Sequence, residues 1–308
     1  MGRMVALWRM ACGCVGDSAR RVGGVYEALC LKPFLFDPPV ACAASSAKNL
    51  PMTTPFAPPL TAPDQLLPQL RDQGFAVLGA ASVAALAGIT LEQMHAWDSD
   101  WNALPPDLYL KDGGRYRRRR HACFVAQGDQ VMQAPHRAHW QPVEYNALHG
   151  GMQRWFEPVL ADTATQPAWH QLMAWLARVT SGLKDDGAGR STAPWYLEAH
   201  QFRIDTTDGI GRPTPEGAHR DGVDLVAVFL VGRQDIKGGE TRVFEAAGPH
   251  GQRFTLTEPW SLLLLDDGRM IHESTPIQPT AAQGHRDTLV VTCRAGGFQG
   301  EGVEAQST

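Results

Sequence analysis

His219 and Asp221 stand one residue apart in the stretch TPEGAHRDGVDLVAVFLVG, where a Pro/Gly-rich loop gives way to an apolar run. In an extended chain, alternate side chains point to one face. An imidazole and a carboxylate at i and i+2 therefore aim at one point, and Arg220 between them turns away. The pair is two-thirds of a metal site, and the third ligand is expected from a neighbouring strand. His272, in DDGRMIHESTP just beyond an apolar run and a tight turn, is the candidate. Two histidines and one carboxylate form the facial triad of non-haem Fe(II) oxygenases, which leaves three coordination positions open. A chelating co-substrate takes two of them and O2 the third.

Arg286 opens the later apolar run GHRDTLVVTCR. By period two, Arg286, Thr288, Val290, Thr292 and Arg294 share one face, and Leu289, Val291 and Cys293 the other. A guanidinium and a hydroxyl side by side on an inward face make an anion clamp, because the planar fork matches a carboxylate. A buried arginine needs such a partner.

Other polar clusters admit several readings. The run RYRRRRH (residues 115–121) suggests nucleic acid, an edge strand or loop with solvated charge, or an inward-facing pair that binds a substrate carboxylate. On the last reading Arg117 and Arg119 are the candidates, with Arg294 from the Arg286 face. His136 and His139 have metal-like spacing but no Cys or acidic companions, and read as ordinary histidines. The loop GIGRPTPEG (residues 209–217) is either a connector or a lid that excludes water.

The elements that must position these residues fall in two halves. Residues 63–183 read as mostly helical. DQLLPQLRDQG gives a short helix ending at Gly74, FAVLGA a strand, and SVAALAGITLEQMHAWDSDW one or two helices. In PAWHQLMAWLARVTSGL, the residues Trp169, Leu172, Met173, Leu176, Val179 and Leu183 repeat as one buried helical face. Residues 195–298 carry seven or so short β-rich runs separated by turns, which indicates a sandwich or barrel. Helices followed by strands give an α+β domain, with the helices buttressing one face of the β unit.

Of the 308 residues, 44% are hydrophobic, enough for a substantial core. A net charge of −4 argues against a broadly basic nucleic-acid surface, and no apolar run reaches the ~18–20 residues of a membrane span. Four of the six cysteines precede residue 51, so a disulfide framework for the main body is not expected and a cytoplasmic setting is. Cys123 and Cys293 read as small buried apolar residues. Residues 1–51 lack sustained periodicity and read as a mis-called start or a disordered extension, with a single domain over residues 52–308.

His219-x-Asp221, His272 and Arg286-x-Thr288 together resemble the pattern of 2-oxoglutarate/Fe(II)-dependent dioxygenases. More narrowly, the chain is similar to the bacterial free L-isoleucine 4-hydroxylases. The likeness covers about residues 64–298. It includes WNALPPDLYLKDGGRYRRRRHACF, the set Gln141, Asn146, Gly150, Gly151, Arg154, Phe156 and Pro158, then PEGAHRDG and GGET. Thr288 stands where many dioxygenases have Ser, which keeps the hydroxyl.

The resemblance implies a double-stranded β-helix, a distorted jelly-roll. Fe(II) would sit on His219, Asp221 and His272. 2-Oxoglutarate would chelate it, with the far carboxylate on Arg286 and Thr288. O2-driven decarboxylation to succinate and CO2 would then oxidise an unactivated C–H bond of a small molecule, such as free isoleucine, leucine or methionine. The alternatives are an oxygenase for another small molecule, a peptide or nucleic acid, and a non-enzymatic ligand-binding barrel. Neither nucleic acid nor a membrane is an expected partner, and the oligomeric state is not encoded legibly.

Overall fold

The computed structural model describes residues 56–185 and 193–301. The readings placed on residues 1–51 lie outside the described residues.

The first helix, α1 (Leu66–Gln73), stops where Gly74 adopts φ 78° and its N–H reaches the Leu70 carbonyl. A left-handed residue after the last turn suits glycine, which has no Cβ to clash. Strand β1 (Phe75–Leu78) follows. Next come α2 (Ala80–Ala87) and α3 (Leu91–His95), the latter opened by a Thr90/Gln93 capping box.

After α4 (Ala161–Ala164), the long helix α5 (Pro167–Lys184) buries the six residues that its spacing predicts. It also buries Ala168, Ala174, Trp175, Ala177 and Thr180, because it is covered by α1, α2 and α4 as well as by the sheet.

Seven strands form one antiparallel sheet in the order β1-β9-β5-β12-β4-β2-β3. Besides β1, they are β2 (Arg117–Gln127), β3 (Gln130–Gln133), β4 (Trp195–Asp205), β5 (Leu225–Gln234), β9 (Leu262–Leu265) and β12 (His285–Ala295). A second sheet pairs β10 (Met270–Ser274), β7 (Thr241–Glu245) and β8 (Gly251–Phe254). A third pairs β11 (Ile277–Pro279) with β6 (Ile236–Gly238).

Side-chain parity sorts the layers. Ala227, Phe229, Leu262, Leu264, Leu289, Val291 and Cys293 pack with Leu172, Met173, Leu176 and Trp169 of α5. The alternate residues Val226, Leu230, Leu263 and Leu265 pack instead against Val243, Phe254 and Met270 of the small sheet. The helices thus cover one face of the large sheet, and the small sheet lies over the other. This is the expected jelly-roll of the double-stranded β-helix type, although its sheets do not close into a barrel.

One expectation fails. The segment read as mostly helical contains β2, an eleven-residue strand paired to β4 from Arg117 to Ala126. Consecutive arginines mask the period. Arg117, Arg119 and His121 are buried, while Arg118 and Arg120 are only partly so. The strand also lies between β4 and β3 and is not an edge.

Candidate active site

His219 and Asp221 precede β5 rather than belong to it. His219 forms an isolated antiparallel bridge with His272 of β10, and the two backbones exchange hydrogen bonds of 3.0 and 2.9 Å. Opposed residues of such a pair project to the same side, and the two rings stand 4.6 Å apart. Asp221 is fixed by a different device. The Asp267 carboxylate accepts the backbone N–H groups of Asp221, Gly222 and Val223 at 2.9, 2.7 and 3.0 Å. Gly222 turns the chain there at φ 77°, and a Cβ at that position would lie 2.4 Å from the Tyr145 ring.

The Asp221 carboxylate lies 3.8 Å from Nε2 of each histidine. One ligand-type atom from each of the three residues falls within 4.8 Å of the others. His219 donates Nδ1–H to the Gly217 carbonyl at 2.9 Å, so its Nε2 lone pair is presented to the site. Gln141 donates to Asp221 Oδ1 at 3.1 Å, and its own carbonyl accepts from Asn146 and Arg154. Outer support of this kind orients a carboxylate for metal binding.

The electrostatics also call for a cation. Burial would lower the His219 imidazole, but the carboxylates of Asp221 and Glu216 outweigh it and raise it. Burial, then Asp221, pushes Asp267 up to about 6. Two imidazole nitrogens and a hard oxygen fit Fe(II), and a divalent ion relieves the crowding of carboxylates.

Beside the cluster lies a cavity lined by the inward faces of β2, β4 and β12 and by the loop through Pro213, Thr214 and Glu216. Arg286 is 4% exposed and lines it together with Thr288. Burial lowers the guanidinium to about 10, with Arg233 adding repulsion. The nearby Asp287 is already gripped by Arg203 through two bonds of 2.8 and 2.7 Å. Among the described residues Arg286 forms no ion pair, so a buried positive charge awaits an anion.

The three other arginines named as candidates separate. Arg117 and Arg119 line the cavity. Arg117 is paired with Asp107 at 2.7 Å, and Arg119 lies between the rings of Phe156 and Phe202 at 3.8 and 4.4 Å. Arg294 is not in the cavity wall; its guanidinium caps the Gly297 carbonyl at 2.6 Å, because β12 has by then passed the cavity's end. The Pro/Gly loop is tied down at Gly211 by a bridge to Ile277 and at Thr214 by bonds to Ser274.

Sequence reasoning missed a second cluster, His121, His139, Glu198 and His200, all buried. His139 is not the ordinary histidine expected, and only His136 stays apart, bonded to the Phe156 carbonyl. A signal existed: Glu198-x-His200 in the strand WYLEAHQFRI repeats the one-residue spacing of His219-x-Asp221. Arg154 was also unassigned. It is 2% exposed, its side chain hydrogen-bonds only Gln141 among the described residues, and its Nε has no partner.

A jelly-roll with an open-sided two-histidine, one-carboxylate cluster beside an unpaired buried arginine defines an iron oxygenase with an acidic co-substrate. Comparison with known proteins agrees. Residues 98–292 match the family model for 2OG-Fe dioxygenases. The chain is 52% identical to a bsmA homologue from Methylobium petroleophilum PM1, with a TM-score of 0.73 and coverage of 79% of this chain and 97% of that one. IDO from Bacillus thuringiensis shares the fold at 16% identity and TM-score 0.61, covering 77% and 100% of the two chains. So does TqaL, an Fe(II)/α-ketoglutarate-dependent dioxygenase, at 18% identity and TM-score 0.59, covering 78% and 89%. No curated protein sequence matches. The chain belongs to the 2OG-Fe dioxygenase family, and it is a dioxygenase that uses Fe(II), 2-oxoglutarate and O2. No helix among the described residues is long and apolar enough to cross a membrane.

Proposed function

We propose that this dioxygenase hydroxylates an unactivated C–H bond of a free aliphatic L-amino acid such as isoleucine, leucine or methionine. Fe(II) is held by His219, Asp221 and His272. The far carboxylate of 2-oxoglutarate rests on Arg286 and Thr288. The bound iron, 2-oxoglutarate and O2 supply the oxidation, which yields succinate, CO2 and the hydroxylated product.

The protein's part is placement. The Gly217 carbonyl keeps the His219 proton on Nδ1, and Gln141 steadies Asp221. Arg286 sets the co-substrate's depth in the cavity. The observation that carries the reading is the buried Arg286, without a counter-ion among the described residues, on the cavity face that the metal cluster shares. An acidic substrate is favoured because Arg119 and Arg154 line the same cavity beyond it. The enzyme works in the cytoplasm as one catalytic unit over residues 52–308.

An amino-acid panel with Fe(II), ascorbate and 2-oxoglutarate tests this by mass spectrometry. Succinate with a +16 amino-acid product is expected. Succinate without any +16 product would retain the co-substrate assignment and reject the substrate.

A further inference from the structure

Four titratable side chains outside the metal cluster meet beside the same cavity, and three of them, His139, Glu198 and His200, line it. His121 of β2 lies opposite His200 of β4, and Glu198 is two residues away on the same face of β4. His139 arrives from a segment bridged to Arg154. None of the four is more than 7% exposed, and their ligand-type atoms lie within 4.8 Å of one another. That spacing would suit a metal.

The hydrogen bonds argue for another use. Arg119 Nη2 stands 2.7 Å from His200 Nδ1. A guanidinium only donates, so Nδ1 accepts, and the proton of the neutral ring is on Nε2. That nitrogen faces Glu198 Oε2 at 3.9 Å and has no lone pair for a metal. His121 Nε2 at 3.0 Å and His139 Nδ1 at 2.7 Å lie against the same Oε2. An ionised carboxylate only accepts, so these nitrogens carry protons as well.

Burial holds all three imidazoles neutral. Burial alone would raise the Glu198 carboxyl, but the bonds from His139 and His121 outweigh it and keep it ionised. The cluster therefore carries one negative charge. A divalent ion would leave it net positive next to Arg119, whereas a single ammonium neutralises it. Oε1 of Glu198 makes no hydrogen bond among the described residues, and Glu198 lines the cavity. Along β4, Glu198 is six residues from Ile204, the partner of Arg286, or about 20 Å at ~3.3 Å per residue. One end of the cavity floor carries the Arg286 guanidinium, and the other presents a carboxylate.

We propose that Glu198 is the ammonium-binding residue of the substrate subsite: His121 and His139 fix Oε2, and Oε1 takes the protonated amine of the substrate. This rests on the amino-acid reading above. With Arg154 in the same cavity for a carboxylate, the subsite reads a zwitterion.

The test titrates the anaerobic Fe(II)–2-oxoglutarate enzyme and follows the visible band as substrate perturbs it. The probes are L-isoleucine, L-leucine and L-methionine and their matched 2-hydroxy acids, against wild type and Glu198→Gln. Wild type should bind the amino acid at least about 100-fold more tightly than the hydroxy acid, the worth of a buried charge-assisted bond. Glu198→Gln should abolish that preference and leave 2-oxoglutarate affinity unchanged.

Equal binding of both probes by wild type overturns the proposal while the amino-acid reading stands. So does a preference that survives in a folded Glu198→Gln. If no amino acid perturbs the band, the amino-acid reading itself fails, and this proposal with it. A metal equivalent retained by His219→Ala and lost on adding Glu198→Gln would overturn it in favour of a second metal. Where Glu198→Gln does not fold, the wild-type comparison decides.

Discussion

The backbones of His219 and His272 hydrogen-bond each other in both directions, although they lie fifty-three positions apart in the chain. That pairing brings the two imidazoles to one side before any metal is present. The third member of the cluster, Asp221, is not held by a strand. It is held by Asp267, which collects three consecutive backbone N–H groups across the turn at Gly222.

Replacing Asp267 should therefore damage the iron site without touching a ligand. Asp267→Asn turns an amide donor toward N–H groups that now meet an acceptor. Iron affinity is expected to fall about 10–100-fold, the usual cost of removing an outer support, with activity restored by excess Fe(II). Unchanged affinity, measured by metal titration, would show that the turn holds itself.

Arg286→Gln should leave iron binding intact and raise the KM for 2-oxoglutarate by about 10–100-fold, since a charged hydrogen-bond partner is lost. Separate titrations of iron and of 2-oxoglutarate distinguish this from general unfolding. A variant with ordinary 2-oxoglutarate affinity would place the co-substrate elsewhere.

The buried histidines set an acid limit. Burial holds His139 and His149 near about 4, in each case assisted by neighbouring arginines. Between the ordinary histidine value of about 6.5 and about 4, the unfolded chain binds protons that the folded chain refuses. Stability therefore falls as pH drops through that window, and the depressed Glu198 carboxyl extends the loss below it. The iron-loaded enzyme should melt at least about 5 °C lower at pH 5 than at pH 7. A flat profile over this range would mean that these imidazoles are hydrated or charged in the fold.

A chain starting at Met52 should keep full activity, because every residue assigned a role lies beyond it. Loss of turnover in that shortened chain, measured alongside the full one, would assign residues 1–51 a part in the enzyme.

Much of this was legible in the sequence. The α5 face and the side-by-side placement of Arg286 and Thr288 follow from spacings of two, three and four within single elements, and the one-residue spacing of His219 and Asp221 pointed to a cluster that only His272, from another strand, completes. A sandwich or barrel follows from regular strand and turn alternation, and the family resemblance narrows it to the jelly-roll. The second cluster was not legible because its members are distant in sequence and meet only when β2 joins β4, and β2 hid behind its arginines. Arg294 shows the limit of parity: it shares the face of Arg286, but the cavity ends before the strand does. The start of β5 shows another, since the residue that positions Asp221 lies forty-six positions downstream.

The most direct test of the iron and 2-oxoglutarate assignment is the anaerobic visible spectrum of the protein with Fe(II) and 2-oxoglutarate, compared with His219→Ala. A weak charge-transfer band that appears only when both are present, and is absent from His219→Ala, is the predicted result. No band in wild type, together with 2-oxoglutarate binding by His219→Ala equal to that of wild type, would contradict it.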